Sequence, residues 1–204
     1  MKVLAVGAEK GGSGKSTTTL YLAARAAERL KSTSARPRVA ILDRDDDAHL
    51  TDLWLHQEGL RRDTIALVPG KRLPRSGDGF DFVLIDTPPG QAALASLREA
   101  HLVVVPCPPT DMNVHSLSRY LQRVEDQSAT ISPNMRLLAV LPTIVKRTTL
   151  HKTRIAAIEA IAESHVPPLL VLPPISDLTP VQIPDLSHPA YDRAAKELFD
   201  HAEL

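Results

Sequence analysis

The chain has 204 residues, enough to bury a hydrophobic core, and its 43% hydrophobic and 24% charged residues are ordinary for a globular protein. Its 24 basic and 24 acidic side chains cancel, so binding to nucleic acid or anionic lipid would need a local patch. The single cysteine excludes an internal disulfide and a paired-cysteine metal site, and no apolar run approaches the ~20 residues of a membrane span. We expect one domain over residues 1–204, in the reducing cytoplasm.

Short continuous apolar runs alternate with longer amphipathic segments, which predicts buried strands separated by helices. Strands are predicted at 3–7, 39–43, 82–86, 102–106 and 137–141, helices at 16–30, 48–57, 113–125, 150–164 and 190–202, and loops at 31–38 and 69–79. Strands of this kind are typical of a parallel sheet that helices cover on both sides. The predicted fold class is therefore α/β, a doubly wound and mostly parallel sheet with helices on both faces.

A glycine-rich loop runs from Glu9 to Ser16 between a predicted strand and a predicted helix. It nearly matches the phosphate-binding pattern G-x-x-x-x-G-K-[ST], except that Glu9 stands at the first glycine position. Backbone N–H groups of such a loop, and the helix N-terminus behind it, bind phosphate oxygens. We expect Lys15 to contact the β- and γ-phosphates, Ser16 to ligate Mg²⁺, and Thr17 to lie beside the α-phosphate. The predicted nucleotide-binding residues of the loop are Gly11, Gly12, Ser13, Gly14, Lys15, Ser16 and Thr17.

Acidic residues stand at the ends of two predicted strands. Asp86 ends the run 82–86, a position at which nucleotide hydrolases hold Mg²⁺. The segment Asp43-Arg44-Asp45-Asp46-Asp47 follows another strand, and its four carboxylates repel one another unless a cation or hydrogen-bond donors compensate. A magnesium–nucleotide site is one such compensation, and a carboxylate near the γ-phosphate is suited to orienting the attacking water. For Asp46 and Asp47, a solvated acidic turn is an equally good interpretation.

These motifs together resemble the ParA/MinD group of P-loop ATPases. The segment 10–17, Lys-Gly-Gly-Ser-Gly-Lys-Ser-Thr, matches the group's deviant Walker A motif K-G-G-x-G-K-[ST]-T. Asp43-x-Asp45 resembles its second acidic motif, and residues 82–89 resemble its Walker B segment, a hydrophobic run followed by Asp-Thr-Pro-Pro. The resemblance covers essentially the whole chain, and it is closest to small ParA-type partition ATPases without an N-terminal DNA-binding domain.

The resemblance implies an ATPase whose cofactors are ATP and Mg²⁺. Lys10 is the group's signature lysine and would reach the partner's ATP in a homodimer that forms with ATP. A buried lysine facing another subunit is costly unless an anion meets it, which agrees with that role. The implied catalytic residues are Lys10, Lys15 and Asp45, the last positioning the hydrolytic water, and the implied magnesium ligands are Ser16, Asp43 and Asp86. The implied adenine-framing residues are Thr143, Pro174, Ser176 and Asp177.

A basic cluster stands around the start of the predicted helix near residue 150. Its members are Lys146, Arg147, Lys152 and Arg154, with Arg119 and Arg123 as further candidates. The cluster is suited to non-specific binding of DNA phosphates, although an ordinary solvated helix face fits equally well. The resemblance implies a nucleoid-associated protein that segregates plasmid, chromosome or protein-cluster cargo. A ParB-like or other adaptor on the cargo would stimulate its hydrolysis, and no membrane would be involved.

The loop departs from the family's pattern at Glu9, which we expect to pair with the adjacent Lys10 in the nucleotide-free monomer. Asp46 and Asp47 replace the usual Pro-Gln and add negative charge near the γ-phosphate. A MinD-like membrane-associated ATPase is one alternative, but the predicted last helix has more acidic than basic residues, which suits an anionic membrane badly. A metabolic P-loop enzyme, such as an amidoligase or a small-molecule kinase, is another. An iron–sulfur role would need bridging cysteines, and one cysteine does not supply them.

Overall fold

A parallel β-sheet forms the centre of the computed structural model, which describes residues 1–30, 38–47, 50, 51, 54, 64–69, 71–131, 135–177 and 188–203. Within these residues the strands are β1 (Lys2–Val6), β2 (Val39–Asp43), β3 (Ile65–Val68), β4 (Phe82–Asp86), β5 (Leu102–Cys107), β6 (Leu137–Pro142) and β7 (Leu170–Val171). Their order across the sheet is β3-β2-β4-β1-β5-β6-β7, and every neighbouring pair is parallel.

Helices cover both faces of this sheet. They are α1 (Lys15–Arg29), α2 (Gln91–Ser96), α3 (Asp111–Ile131), α4 (Thr149–Glu163) and α5 (Pro189–His201). Because successive side chains of a strand point to opposite faces, Leu4 and Val6 of β1 pack with α1 and α5, whereas Val3 and Ala5 pack with α2, α3 and α4. The predicted fold class, a doubly wound parallel sheet with helices on both faces, is confirmed.

Strands β2 and β4 have the predicted bounds. Strand β1 begins and ends one residue earlier than predicted, and β5 and β6 each end one residue later. Helix α3 is longer than predicted, since it reaches Ile131. The sequence analysis did not predict β3 or α2. Strand β3 has four residues, lies at the sheet edge and is mostly half-buried, so it lacks a fully buried run, and α2 has only six residues. The predicted loop at 31–38 and helix at 48–57 fall largely outside the described residues.

The strand order places the phosphate loop where the chain direction across the sheet reverses. Strand β1 lies between β4 and β5. Its own connection, through α1, leads to β2 on one side of it, whereas the connection from β4, through α2, leads to β5 on the other side. In register, Val6 lies beside Asp86, and Asp86 lies beside Asp43. The ends of β1, β2 and β4 therefore meet at one rim, which is the usual ligand-binding crevice of such sheets.

Candidate phosphate and magnesium site

The loop after β1 leaves backbone donors free at the start of α1. Gly12 and Gly14 have φ values of +72° and +89°, a left-handed conformation that glycine adopts without the Cβ penalty. Gly14 is the N-cap of α1, and no side chain caps this helix end. Gly11 and Gly12 are exposed. The first N–H groups of α1 are therefore available to an anion, and the helix dipole favours negative charge there.

Thr143 supports the loop from the end of β6. Its hydroxyl donates to the carbonyl of Ser13 at 2.9 Å, and its own N–H donates to the carbonyl of Cys107 at 3.2 Å. Thr143 is only 2% exposed. Thr143 therefore lies against the phosphate loop, and its hydroxyl is engaged by Ser13. Its contact with adenine stays a prediction.

Asp86 lies at the base of the loop and is completely buried. The hydroxyl of Ser16 donates to Asp86 Oδ2 at 2.6 Å, and the hydroxyl of Thr19 donates to Oδ1 at 3.4 Å. Burial raises the pKa of Asp86 from 3.8 to about 7; the Ser16 hydrogen bond and the charge of Lys15 oppose that rise. A carboxylate in such surroundings is stabilised by a cation.

The donor set at this position suits Mg²⁺, because the Ser16 hydroxyl and the Asp86 carboxylate are hard oxygen ligands. Among the residues that the structure describes, no group of three or more His, Cys, Asp or Glu side chains could hold a metal ion. A magnesium ion here would therefore need nucleotide phosphates and water as further ligands, as is usual for this ion. Sequence analysis missed Thr19, although it lies one helical turn beyond Ser16 on the same face of α1.

The carboxylate of Asp43 is held by hydrogen bonds within its own segment. Its Oδ2 accepts from the N–H and the hydroxyl of Thr51, at 2.9 Å and 2.6 Å, and its Oδ1 accepts from the N–H of Asp45 at 3.1 Å. Asp45 in turn accepts from the N–H of Asp47 at 3.3 Å. The structure therefore brings Asp43 and Asp45 together beside Asp86, at the rim where the sequence analysis expected them.

The remaining carboxylates of this segment lie in a turn exposed to solvent. Asp46 forms an ion pair with Lys71, and Asp46 and Asp47 are both exposed. This geometry favours the solvated-turn interpretation for these two residues. Lys71 compensates part of the negative charge that the sequence concentrates after β2.

The expected ion pair between Glu9 and Lys10 does not form. Glu9 instead pairs with Arg123 of α3 at 3.1 Å, and the ammonium of Lys10 donates to the carbonyl of Met112 at 3.3 Å. Adjacent side chains in a non-helical segment point in different directions, so tertiary neighbours supply the partners. The prediction was wrong because α3 places an arginine against Glu9.

The segment expected to frame adenine lies beside the end of β6. The N–H of Ile175 donates to the carbonyl of Pro142 at 2.8 Å, and the N–H of Asp177 donates to the carbonyl of Val145 at 3.0 Å. Ser176 forms a bridge with Val145, and Pro174 precedes this paired stretch. Pro174, Ser176 and Asp177 therefore lie near the same strand end as Thr143, and their roles stay predictions.

The predicted basic cluster is partly neutralised. Arg154 pairs with Asp111 of α3, and Lys146 lies 3.6 Å from Asp177. Arg147 and Lys152 are exposed. The cluster is therefore not a uniform row of cations, because acidic side chains reach the same rim from two other elements.

Comparison with known proteins decides the family. Residues 4–183 match the CobQ/CobB/MinD/ParA nucleotide binding domain. The chain belongs to this family. It is a P-loop ATPase of the ParA/MinD type, and the resemblance carried by its motifs is confirmed.

Individual relatives agree with this assignment. The chain is 29% identical over 107 residues to the maintenance of carboxysome distribution protein A of Synechococcus elongatus, an alignment that spans 52% of the chain and only 41% of that relative. An ATP complex of a Cyanothece McdA variant has a TM-score of 0.80 at 19% identity and shows the shared fold; the alignment covers 100% of the chain and 97% of McdA. Cobyrinic acid a,c-diamide synthase from Mycobacterium smegmatis, with an ATP analogue and magnesium, has a TM-score of 0.74 at 26% identity over 100% and 96% of the two chains.

Proposed function

We propose that this protein is a Mg²⁺-dependent ATPase that dimerises around ATP, binds DNA non-specifically and positions a cargo. The observation that carries the proposal is the buried Asp86 carboxylate, which accepts a hydrogen bond from Ser16 at the base of the phosphate loop, where no side chain caps the start of α1. Its cofactors are ATP and Mg²⁺, which supply the transferable phosphoryl group and the divalent charge that neutralises it. Solved relatives with bound ATP or an ATP analogue support this choice.

In the proposed hydrolysis, neighbouring residues of the site bind the phosphates, hold the magnesium ion and orient the attacking water. Lys15, buried at the start of α1, neutralises charge on the β- and γ-phosphates, and the loop N–H groups bind their oxygens. Ser16 and Asp86, which are already hydrogen-bonded to each other, would hold the magnesium ion, with Asp43 beside them. Asp45 orients the attacking water through its carboxylate.

Lys10 is proposed to act across the dimer interface. In the monomer its ammonium donates a hydrogen bond to the carbonyl of Met112, and the Met112 residue is 68% exposed. Gly11 and Gly12, which follow Lys10, are exposed as well. A second subunit that covers this surface would bring its ATP within reach of Lys10, and the anion would offset the cost of burying the ammonium.

Replacing Lys10 by Ala is expected to abolish ATP-dependent dimerisation while leaving ATP binding by the monomer within a few-fold of normal. Light scattering with a non-hydrolysable ATP analogue, together with titration of a fluorescent analogue, measures the two effects. Lys196→Ala removes an exposed lysine of α5, away from the loop, and serves as the matched control. An unchanged dimer in the Lys10 variant would refute the role across the interface.

The proposed DNA interaction predicts retardation of arbitrary duplex DNA with ATP, but not with ADP or without nucleotide. Replacing Arg147 and Lys152 together by Ala should weaken binding equally across sequences and reduce the salt slope by about 2, because two phosphate contacts are lost. The paired Arg154 is less suited to this contact. Absence of ATP-dependent retardation at low salt would contradict DNA binding.

The cargo and its adaptor follow from the same proposal. A ParB-like or other adaptor on a plasmid, chromosome or protein cluster would stimulate hydrolysis and release the dimer from the nucleoid in the cytoplasm. The name of the Synechococcus elongatus relative, which concerns carboxysome distribution, supports a protein cluster as one class of cargo.

A metabolic P-loop enzyme is the second candidate, and the 26% identity to cobyrinic acid a,c-diamide synthase favours it. The two candidates differ in what ATP turnover requires. A positioning ATPase releases phosphate without a small-molecule co-substrate and is stimulated by DNA or an adaptor, whereas an amide-forming enzyme needs its acceptor. Phosphate release by the purified chain, with and without DNA, separates them.

A MinD-like membrane role finds no support in α5. Its apolar side chains Tyr191, Leu198 and Phe199 are buried in the core with α1, so they are not available to insert into lipid. In the part of the chain that the structure describes, no helix is long and apolar enough to cross a membrane.

A further inference from the structure

Arg44 lies between Asp43, the last residue of β2, and Asp45, and its side chain is only 11% exposed. Its guanidinium contacts two other segments. Nε donates to the carbonyl of Lys71 at 3.0 Å, Nη1 donates to the carbonyl of Ser96 at 3.5 Å, and Nη2 forms an ion pair with Glu99. Lys71 follows β3, whereas Ser96 and Glu99 follow the aspartate that ends β4.

The backbone of Arg44 makes a further connection to the same region. Its N–H donates to the carbonyl of Asp86 at 2.9 Å, which continues the pairing of β2 with β4 by one residue. The main chain of Arg44 thus binds the start of the segment 86–99, at Asp86, and its side chain binds the end of that segment, at Ser96 and Glu99. Any shift of the segment after β2 relative to Asp86 would break several of these bonds.

The position of Arg44 determines what these contacts can do. Alternate side chains of an extended chain point to opposite sides, so an anchored Arg44 constrains the directions of Asp43 and Asp45. Asp43 also accepts a hydrogen bond from the N–H of Asp45, so the two acidic residues move together. Catalytic geometry is sensitive to such placement, since a displacement of about 1 Å can cost about 100-fold in rate.

We infer that Arg44 is a positioning residue for hydrolysis: it holds the acidic segment after β2 in register with Asp86, so that Asp45 stays in place for the attacking water. This inference rests on the proposed role of Asp45. Arginine suits the task because its planar guanidinium donates in three directions at once, to Lys71, Ser96 and Glu99, which a lysine ammonium cannot reproduce.

The test compares Arg44→Met, which keeps much of the side-chain length but has no donors, with Arg44→Lys, which keeps the charge. We expect kcat for phosphate release to fall about 10- to 100-fold in both variants, with the KM for ATP changed less than about threefold. Arg72→Met alters a neighbouring exposed arginine and should leave both constants unchanged. Normal kcat in Arg44→Met would overturn the inference, and so would full recovery in Arg44→Lys, which would show that charge alone suffices.

Glu99→Ala provides a second route if an Arg44 variant folds poorly, because the Glu99 side chain is substantially exposed and its loss should not disturb the core. We expect a smaller fall in kcat, and an Arg44→Met/Glu99→Ala double variant should fall by less than the product of the single effects. Strictly multiplicative effects would contradict the coupling. If the unmutated protein releases no phosphate, the proposed function and this inference are both overturned. Normal kcat in the Arg44 variants would overturn the inference alone.

Discussion

Replacing Asp86 by Asn is expected to abolish magnesium-dependent ATP hydrolysis and, at about pH 8, to stabilise the magnesium-free protein. The loss of hydrolysis follows because an amide cannot neutralise the charge of Mg²⁺ beside Ser16. The gain in stability follows because the wild-type carboxylate is ionised at this pH in a fully buried position. Its pKa rises from 3.8 to about 7, mainly through burial, which corresponds to a penalty on the order of 4 kcal/mol.

The pH dependence of this effect has a definite sign. Between pH 3.8 and about 7 the native Asp86 carboxyl binds more protons than the unfolded one, so the free energy of unfolding decreases as pH rises through that window. The Asn variant lacks this dependence. Its advantage over the wild type should therefore be a few kcal/mol at about pH 8 and close to zero near pH 4.

Denaturant unfolding at several pH values, with a chelator present, measures these differences. Added Mg²⁺ and nucleotide should stabilise the wild type, because they bind the native state, and should stabilise the Asn variant less. Glu163→Gln, at an exposed carboxylate near the end of α4, should change stability by less than about 0.5 kcal/mol. Equal stability of the wild type and the Asp86 variant across the whole pH range would contradict the raised pKa.

The Asp45→Ala variant is expected to bind ATP but to hydrolyse it at least about 100-fold more slowly, so that ATP-bound dimers accumulate. The carboxylate of Asp45 is half-buried and accepts a hydrogen bond from the N–H of Asp47. Its removal should therefore cost little stability. The defect should appear in kcat rather than in nucleotide affinity, because phosphate binding depends on the loop and Lys15.

Phosphate release and light scattering in ATP and Mg²⁺ test this expectation. Asp47→Ala is a matched control, because Asp47 is exposed and lies two residues from Asp45. The substitution removes the same charge and keeps the N–H of residue 47 that donates to Asp45. The control should retain nearly normal turnover. Normal phosphate release by the Asp45 variant would instead assign water positioning to another residue.

Local sequence signals predicted the parts of the site that the chain forms within a few residues. The bounds of β2 and β4 match the structure because a continuous buried run has few alternative conformations and ends in polar residues. The phosphate loop at 9–16 was predicted from its glycines and from the helix that begins directly after it. Asp43 and Asp86 became neighbours as expected, since parallel strands bring their carboxyl ends to one rim.

Partners of individual side chains could not be predicted in the same way. Glu9 pairs with Arg123, which is 114 residues away, and not with the adjacent Lys10. Arg44 forms an ion pair with Glu99, which is 55 residues further along the chain. The direction of a side chain depends on packing between elements, and no local pattern records which distant side chain will face it.

The amino-acid sequence by itself determined the nucleotide-binding class, the doubly wound sheet, and the order of the phosphate loop and the two acidic strand ends. Glycine geometry, apolar runs and strand-end carboxylates are local properties, so they can be recognised in a single chain. Only the tertiary structure decided how the charges are paired: Asp46 with Lys71, Arg154 with Asp111, and Arg44 between two segments. Ion pairs form between whichever groups folding brings within reach, and folding joins residues from distant parts of the chain.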